Sequence, residues 1–356
     1  MGGICFFNTA QAWGGGEKWH FEISKHLHQK GYNVFVFAHA KSVLLQKLIE
    51  VQIPSAGVSI SNLSFLNPFQ YLKLVRLLKT HQFDTIVMNL SRDVKVAGPS
   101  AKKAGIKRII YRRGSAIPIK NSFLNRYYFK NVLTEVLANS MATQKTVLEN
   151  NASLIAEEKI TVIYNGIKIE AEAEERPPNE IFTLINLGRL EYQKNQRFLI
   201  KLAAELKKRQ LPFKMLIGGE GSLKKELEDS IKQFNVENEV ELVGFIEKPL
   251  RFIAQADVFL LSSFWEGFGY VLAEAALCKK PIIAFDTSSN PELVIDGKNG
   301  YLVPENNMIV FADKIEELFK DPKLGKRLGE TGSQLVLKNF DKDKQLRKIE
   351  EYLVHA

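Results

Sequence analysis

Short apolar runs, each followed by a stretch with helical spacing, constrain this chain more than any other feature. ICFFN, VFVFAH, TIVMNL, RIIYRR and EVLANS come first; FTLINLG, KMLIGG, EVELVG, VFLLSS and PIIAFD follow after the middle. Between them, segments such as WHFEISKHLHQKG and QRFLIKLAAELKKRQ repeat apolar residues at helical intervals. A strand that is apolar on both faces has to be covered on both, and strands joined through helices run parallel. The pattern occurs twice, with a break at KIEAEAEERPPNE, residues 168–180, whose prolines and glutamates suit a linker. A chain of 356 residues is also too long for one ordinary core. The expectation is an α/β chain of two doubly wound domains facing a cleft, over residues 1–170 and 181–335. The last helical pattern, within residues 336–356, is expected to pack back toward the first domain. Ligands in such folds bind beyond the carboxyl ends of the strands.

Charge is unevenly shared. Up to residue 169 the chain has 22 Lys and Arg against 9 Asp and Glu, and beyond it 27 against 31, so the net charge of +9 originates in the first half. From Val94 to Thr134 there is no acidic residue, while Tyr111, Phe123, Tyr127, Tyr128 and Phe129 interleave with lysines and arginines. Such a stretch suits an anionic partner, here a membrane surface rather than nucleic acid. It equally fits a solvated face over buried aromatics. Two cysteines, Cys5 and Cys278, exclude a disulfide framework. The opening MGGICFF has neither the basic region nor the apolar stretch of a signal peptide, and no run approaches the roughly 18 apolar residues of a membrane span. A cytoplasmic protein, peripheral at the inner membrane, is expected. Six scattered histidines without ligand spacing give no expectation of a metal.

Four segments carry candidate chemistry. In AWGGGEKW, Gly14, Gly15 and Gly16 precede a helix expected near Glu17. Glycines let backbone approach a ligand, and a helix start offers N–H groups to an anion; the same residues also make an ordinary turn. The spacing is not that of a dinucleotide fingerprint. In NLGRLEYQKNQ, Gly188 is followed by Arg189 and Lys194. Arginine binds a diphosphate in bidentate fashion and lysine as a point charge, though solvated cations in a plain connection fit as well. In IGGEGSL, Gly219 and Gly221 leave backbone bare for a phosphate or a base edge. In SSFWEGFGYVLAEA, Gly267 and Gly269 allow a tight turn into a helix near Tyr270. Glu266 in that turn is placed for a sugar, and Glu274, early in the helix, for two ribose hydroxyls.

Taken in order, these segments resemble the retaining glycosyltransferases of family four, which have the two-Rossmann GT-B architecture. Their Glu-x7-Glu signature is matched by Glu266-Gly267-Phe268-Gly269 and Glu274-Ala275. Gly188-Arg189-Leu190 with Lys194-Asn195, and Gly219, Gly221 and Leu223, match two further segments. Pro291-Glu292, Asp296-Gly297, Asn299-Gly300 and Leu302-Val303 match another, as do Gly15-Gly16-Glu17 and Ala138-Asn139-Ser140 in the first half. The resemblance implies two Rossmann-like domains. It implies that Arg189 and Lys194 hold a donor diphosphate, that Glu274 holds the ribose, and that Glu266 with Gly267, Phe268 and Gly269 meets the donor sugar. Gly15 and Gly16 would face donor phosphates or acceptor. Many members carry a histidine after the strand at about residues 108–112. IIYRRGSAIP has Arg113 there, or Arg112 if the alignment shifts by one, which leaves the sugar and its orienting residue open.

The implied activity is metal-independent, retaining transfer from a UDP-, GDP- or ADP-sugar, without cofactor, to a saccharide or lipid-linked saccharide. Surface polysaccharide or lipopolysaccharide biosynthesis is the expected setting. A sugar-nucleotide epimerase of the same architecture and a non-catalytic basic binding module are the alternatives. A dinucleotide oxidoreductase is disfavoured by the missing fingerprint.

Overall fold

The computed structural model describes residues 2–168 and 180–354. Of the linker expected at 168–180, residues 169–179 lie outside the described residues. The chain divides into two compact units, one of residues 1–166 with 343–356, the other of residues 167–342.

In the first unit seven strands form a parallel sheet. They are β1 (Gly3–Asn8), β2 (Val34–His39), β3 (Ser55–Val58), β4 (Phe83–Met88), β5 (Arg108–Arg113), β6 (Glu135–Ala138) and β7 (Ile160–Val162). Their spatial order is β3-β2-β1-β4-β5-β6-β7. The connecting helices are α1 (Gly15–Gln29), α2 (Val43–Glu50), α3 (Pro68–Thr80), α4 (Ser91–Ala104), α5 (Phe123–Asn131) and α6 (Met141–Leu148). Side chains alternate across a strand, and β1 shows the consequence. Cys5 and Phe7 join Ile86, Met88 and the buried residues of α3, α4 and α5, among them Leu74, Ala97 and Phe129. Ile4 and Phe6 join Val36, Val87 and the buried stripe Trp19, Ile23 and Leu27 of α1 on the other face.

The second unit repeats the plan with β8 (Phe182–Leu187), β9 (Phe213–Gly218), β10 (Val240–Gly244), β11 (Val258–Leu261), β12 (Ile282–Phe285) and β13 (Gly300–Val303). Their order is β10-β9-β8-β11-β12-β13, again parallel throughout. Its helices are α7 (Gln196–Lys208), α8 (Lys224–Gln233), α9 (Pro249–Ile253), α10 (Tyr270–Leu277), α11 (Asn290–Leu293), α12 (Met308–Lys320) and α13 (Pro322–Phe340). In each sheet the winding reverses beside the opening strand, between β1 and β4 and between β8 and β11. The carboxyl ends at such reversal points are the ligand-binding positions of this fold class. All ten strands expected from sequence are present; β3, β7 and β13 are additional.

The last helix, α14 (Lys342–Val354), returns to the first unit. The pattern expected over 336–356 is therefore split, because α13 ends at Phe340. Ile167 receives the turn between them: its N–H donates to the Phe340 carbonyl at 2.8 Å and its carbonyl accepts from Lys342 N–H at 3.1 Å. Ile349 and Leu353 of α14 bury in the face beneath α1. Glu350 accepts from Lys30 at 2.6 Å and Tyr32 at 3.0 Å, and pairs with His26 at 2.8 Å. Among the described residues no helix is long and apolar enough to cross a membrane.

Candidate functional site

In the second unit the residues singled out from sequence gather at the carboxyl ends of β8, β9 and β11. The chain leaves β8 through Gly188, Arg189 and the fully buried Leu190, then makes a 3-10 turn over Tyr192–Lys194. Asn195, at φ +50, turns it into α7. A Cβ on Gly188 would lie 3.3 Å from Lys194 Cδ, so the lysine stem lies across that glycine. Its ammonium reaches Glu266 Oε1 at 2.5 Å, with only 14% and 9% of the two side chains exposed. Glu266 is itself fixed through its backbone: its N–H donates to Ser288 Oγ at 3.1 Å, and its carbonyl accepts from Ser288 and Ser289 hydroxyls at 2.6 and 3.1 Å. Lys194 and Glu266, 72 residues apart in sequence, thus form one paired centre. Arg189 beside them is exposed, with its carbonyl accepting from Gln196 Nε2 at 3.0 Å.

Gly219 and Gly221 bring a second turn against the first. Gly219 has φ +136, and a Cβ there would stand 1.9 Å from the Gly188 carbonyl oxygen. A Cβ on Gly221 would stand 2.3 Å from the Leu190 oxygen. The turns are stitched by Gly188 N–H to Gly218 O and Leu190 N–H to Glu220 O, both at 3.0 Å. The approach that sequence assigned to a ligand is in part an approach of backbone to backbone. Glu191 accepts from the Ser222 N–H and hydroxyl, and these bonds hold its carboxyl below the usual range.

The Glu266–Glu274 segment divides into buried and partly exposed residues. Phe268 is 2% exposed, its ring edge-on to Tyr270 and to Phe340, both at 5.4 Å. Its side chain anchors the loop in the core, so only its backbone can meet a sugar. Gly267 is partly exposed, and Gly269, at φ +80, opens α10. Glu274 sits in the middle of this eight-residue helix and is partly exposed, while Ala273, Ala275 and Ala276 beside it are buried. Sequence reasoning passed over Ser263. It follows β11 in VFLLSS, is fully buried, and its hydroxyl has no hydrogen-bond partner among the described residues. A hydroxyl buried without a partner is uncommon.

The first unit carries its own polar cluster at the ends of β1, β4 and β5. Gly15 begins α1, and a Cβ on Gly16 would stand 2.5 Å from Asn89 Nδ2. Glu17, 7% exposed, accepts from Asn8 at 3.1 Å and Asn89 at 3.3 Å. Arg112 completes the cluster: it donates to Asn89 Oδ1 at 3.2 Å and Asn165 Oδ1 at 3.0 Å, and its guanidinium lies over the Trp19 ring. Arg113 turns the other way, donating to the Tyr111 hydroxyl and the Ile117 carbonyl. Consecutive strand residues point to opposite faces, so Arg112, not Arg113, joins the glycine turn. Burial and the Arg112 charge keep His20 next to it well below the usual imidazole range. Behind this cluster, Asp93 accepts from the Thr9 hydroxyl and from the Thr9 and Leu90 N–H groups. No group of three metal-ligating side chains occurs among the described residues.

Comparison with known proteins adds to this geometry. The model of glycosyl transferases group 1 matches residues 168–335, and that of glycosyltransferase family 4 matches residues 13–171. An uncharacterized glycosyltransferase of Methanocaldococcus jannaschii is 32% identical over 257 residues, 70% of each chain. The N-acetylgalactosamine-N,N'-diacetylbacillosaminyl-diphospho-undecaprenol 4-alpha-N-acetylgalactosaminyltransferase of Campylobacter jejuni is 29% identical over 306 residues, 82% of each. Among solved structures, Anabaena HepE in complex with UDP superposes with a TM-score of 0.85 at 23% identity, covering 99% of this chain and 100% of that one.

Proposed function

Because the chain belongs to the glycosyl transferases of group 1, we propose that it moves a sugar from a nucleoside-diphosphate sugar to a lipid-linked saccharide, with retention of anomeric configuration and without a metal. The observation that carries this reading is the Lys194–Glu266 pair, set between glycine turns with Arg189 beside it. Arg189 and Lys194 take the donor's diphosphate. As the glycosidic bond to it lengthens, charge gathers on the leaving oxygens, and fixed cations there stabilise the transition state, each donor being worth roughly 3 kcal/mol. These cations supply the positive charge a metal would otherwise bring. Glu266 receives the sugar's hydroxyls and Glu274 those of the ribose, while Ser263, three residues before Glu266, adds a buried hydroxyl without a partner among the described residues. Gly188, Gly219, Gly221, Gly267 and Gly269 shape the backbone that faces the donor. In the first unit, Gly15, Gly16 and Arg112 are the candidate residues for the acceptor. HepE was solved with UDP, which makes a UDP-sugar the first donor to test. The Campylobacter relative's undecaprenol-linked substrate supports a lipid-linked acceptor, and hence a setting in surface polysaccharide or lipopolysaccharide assembly at the inner membrane.

Release of nucleoside diphosphate from a panel of UDP-, GDP- and ADP-sugars tests the reading. One donor is expected to turn over, with chelator-insensitive release that Glu266→Gln and Glu274→Gln abolish, and the anomeric proton of the product is expected to report retention. No turnover with any donor, or isomerisation of the donor without an acceptor, overturns it in favour of a binding module or an epimerase.

A further inference from the structure

We propose that the outer face of α3, with the turn before it, docks this protein onto a bilayer containing anionic phospholipid. α3 buries Leu74, Val75 and Leu78 and packs along α4. Its opposite stripe runs Phe69, Leu72, Lys73 and Arg76, the i, i+3, i+4, i+7 spacing of one helix face. Phe69 is 82% exposed and Leu72 51%. The 3-10 turn Ser64–Leu66 and the residue before it add Leu63 and Leu66, 69% and 67% exposed. Four large apolar side chains in ten residues thus stand in solvent. They stand on ordered backbone: Phe65 packs against the core, and Asn67 caps α3 by accepting from Phe69 and Gln70 N–H.

Single exposed leucines are ordinary; a contiguous group with cations on one helix face marks an interaction surface. Apolar residues that enter the acyl boundary, with lysine and arginine beside them at headgroup level, are the pattern of an interfacial helix. Charge selects the occupant. No acidic residue occurs from Val51 to Phe83, while Lys73, Arg76 and Lys79 lie along α3. An anionic headgroup layer complements that face, whereas a second copy of this chain meeting it with the same face would bring like charges together. In the stretch from Val94 to Thr134, Ile117, Phe123, Leu124 and Tyr127 are exposed, but other members of the stretch turn inward. Tyr111, Arg112, Tyr128 and Phe129 are buried, and Arg108 is spent on Glu135 at 2.8 Å.

The inference rests on the lipid-linked acceptor reading for its purpose, but the surface is tested without turnover. The full chain is sedimented with phosphatidylcholine vesicles, with and without phosphatidylglycerol, at low and high salt. Binding is expected only with phosphatidylglycerol, weakening as salt rises. The triple variant Leu66→Ser, Phe69→Ser, Leu72→Ser and the double variant Lys73→Glu, Arg76→Glu are each expected to lose about tenfold or more in affinity. Both should keep the wild-type melting temperature and donor turnover. Wild type left in the supernatant, binding unchanged in either variant, or a pellet that forms without vesicles and that the variants abolish would each overturn the proposal. Donor turnover in the same samples reports separately on the transferase reading.

Discussion

Lys194 and Glu266 share a short contact in a largely buried place, so removing either strands the other. Lys194→Met is expected to cost about 3 kcal/mol of stability, and Lys194→Met with Glu266→Gln to recover much of it, because the stranded charge goes as well. Neither is expected to transfer sugar. Urea unfolding of the two variants checks this; a double variant no more stable than Lys194→Met refutes the pairing. Asp93 supplies a second test. Burial outweighs the bonds from Thr9 and Leu90 and the charge of Arg92, and raises its pKa from 3.8 to about 7. The native state then holds a proton that the unfolded chain has released, so this group's contribution falls as pH rises from about 4 to about 7, by up to about 4 kcal/mol. Asp93→Asn should remove that slope when urea midpoints are compared across the range; an unchanged slope assigns it elsewhere. At this scale sequence named the site's residue types but not their partners. Sequence assigns Lys194 and Glu266 to different parts of one ligand, and structure pairs them. Arg112 and Arg113 are alike as letters, and only the sheet decides which faces the Gly15–Gly16 turn.

Elements hold these residues in place through contacts that leave little room. The turn after β9 lies on the turn after β8 because Gly219 has no side chain and a positive φ. Gly219→Ala is expected to cost about 2 kcal/mol or more through strain and collision, and to weaken nucleotide binding by displacing Arg189 and Lys194. Calorimetric titration with UDP checks the second effect, and unchanged affinity would show that the two turns are not coupled. α14 presents the opposite situation, an element held by polar bonds at its far end. Burial works to raise Glu350, but Lys30, His26 and Tyr32 outweigh it and lower its pKa from 4.5 to about 2. A depressed carboxyl contributes its stability above about 4.5 and loses it as pH falls toward 2. Glu350→Gln is expected to reduce stability by about 2 kcal/mol at neutral pH, with faster amide exchange across residues 342–354. Unaltered exchange there would mean that Ile349 and Leu353 anchor the helix alone. β3, β7 and β13 escaped the sequence because SAGV, ITV and GYLV are too short or too small to show an apolar run.

At the scale of the whole molecule, the chain leaves its first unit near residue 166 and returns at 343. The first unit therefore depends on residues that are last in the sequence. Deleting residues 343–356 uncovers the apolar face that Ile349 and Leu353 bury. The expected result is a lower melting temperature for the first unit, while UDP still protects the second against heat. Calorimetry with and without UDP checks both halves, and an intact first unit would show α14 to be dispensable. Charge is divided along the same line, since the basic excess lies before residue 169 and the acidic remainder after it.

Periodicity along the chain determined the parallel sheets, the ten strands that are apolar on both faces, and the glycine turns with their neighbouring cations and carboxylates. It could do so because strand burial and turn conformation are local demands, written in consecutive residues. Tertiary structure decided that Lys194 meets Glu266, that Phe268 faces the core, that Arg112 rather than Arg113 enters the polar cluster, and that α3 leaves Phe69 and Leu72 in solvent. Each of these depends on which surface an element covers, and residues far apart in the sequence set that.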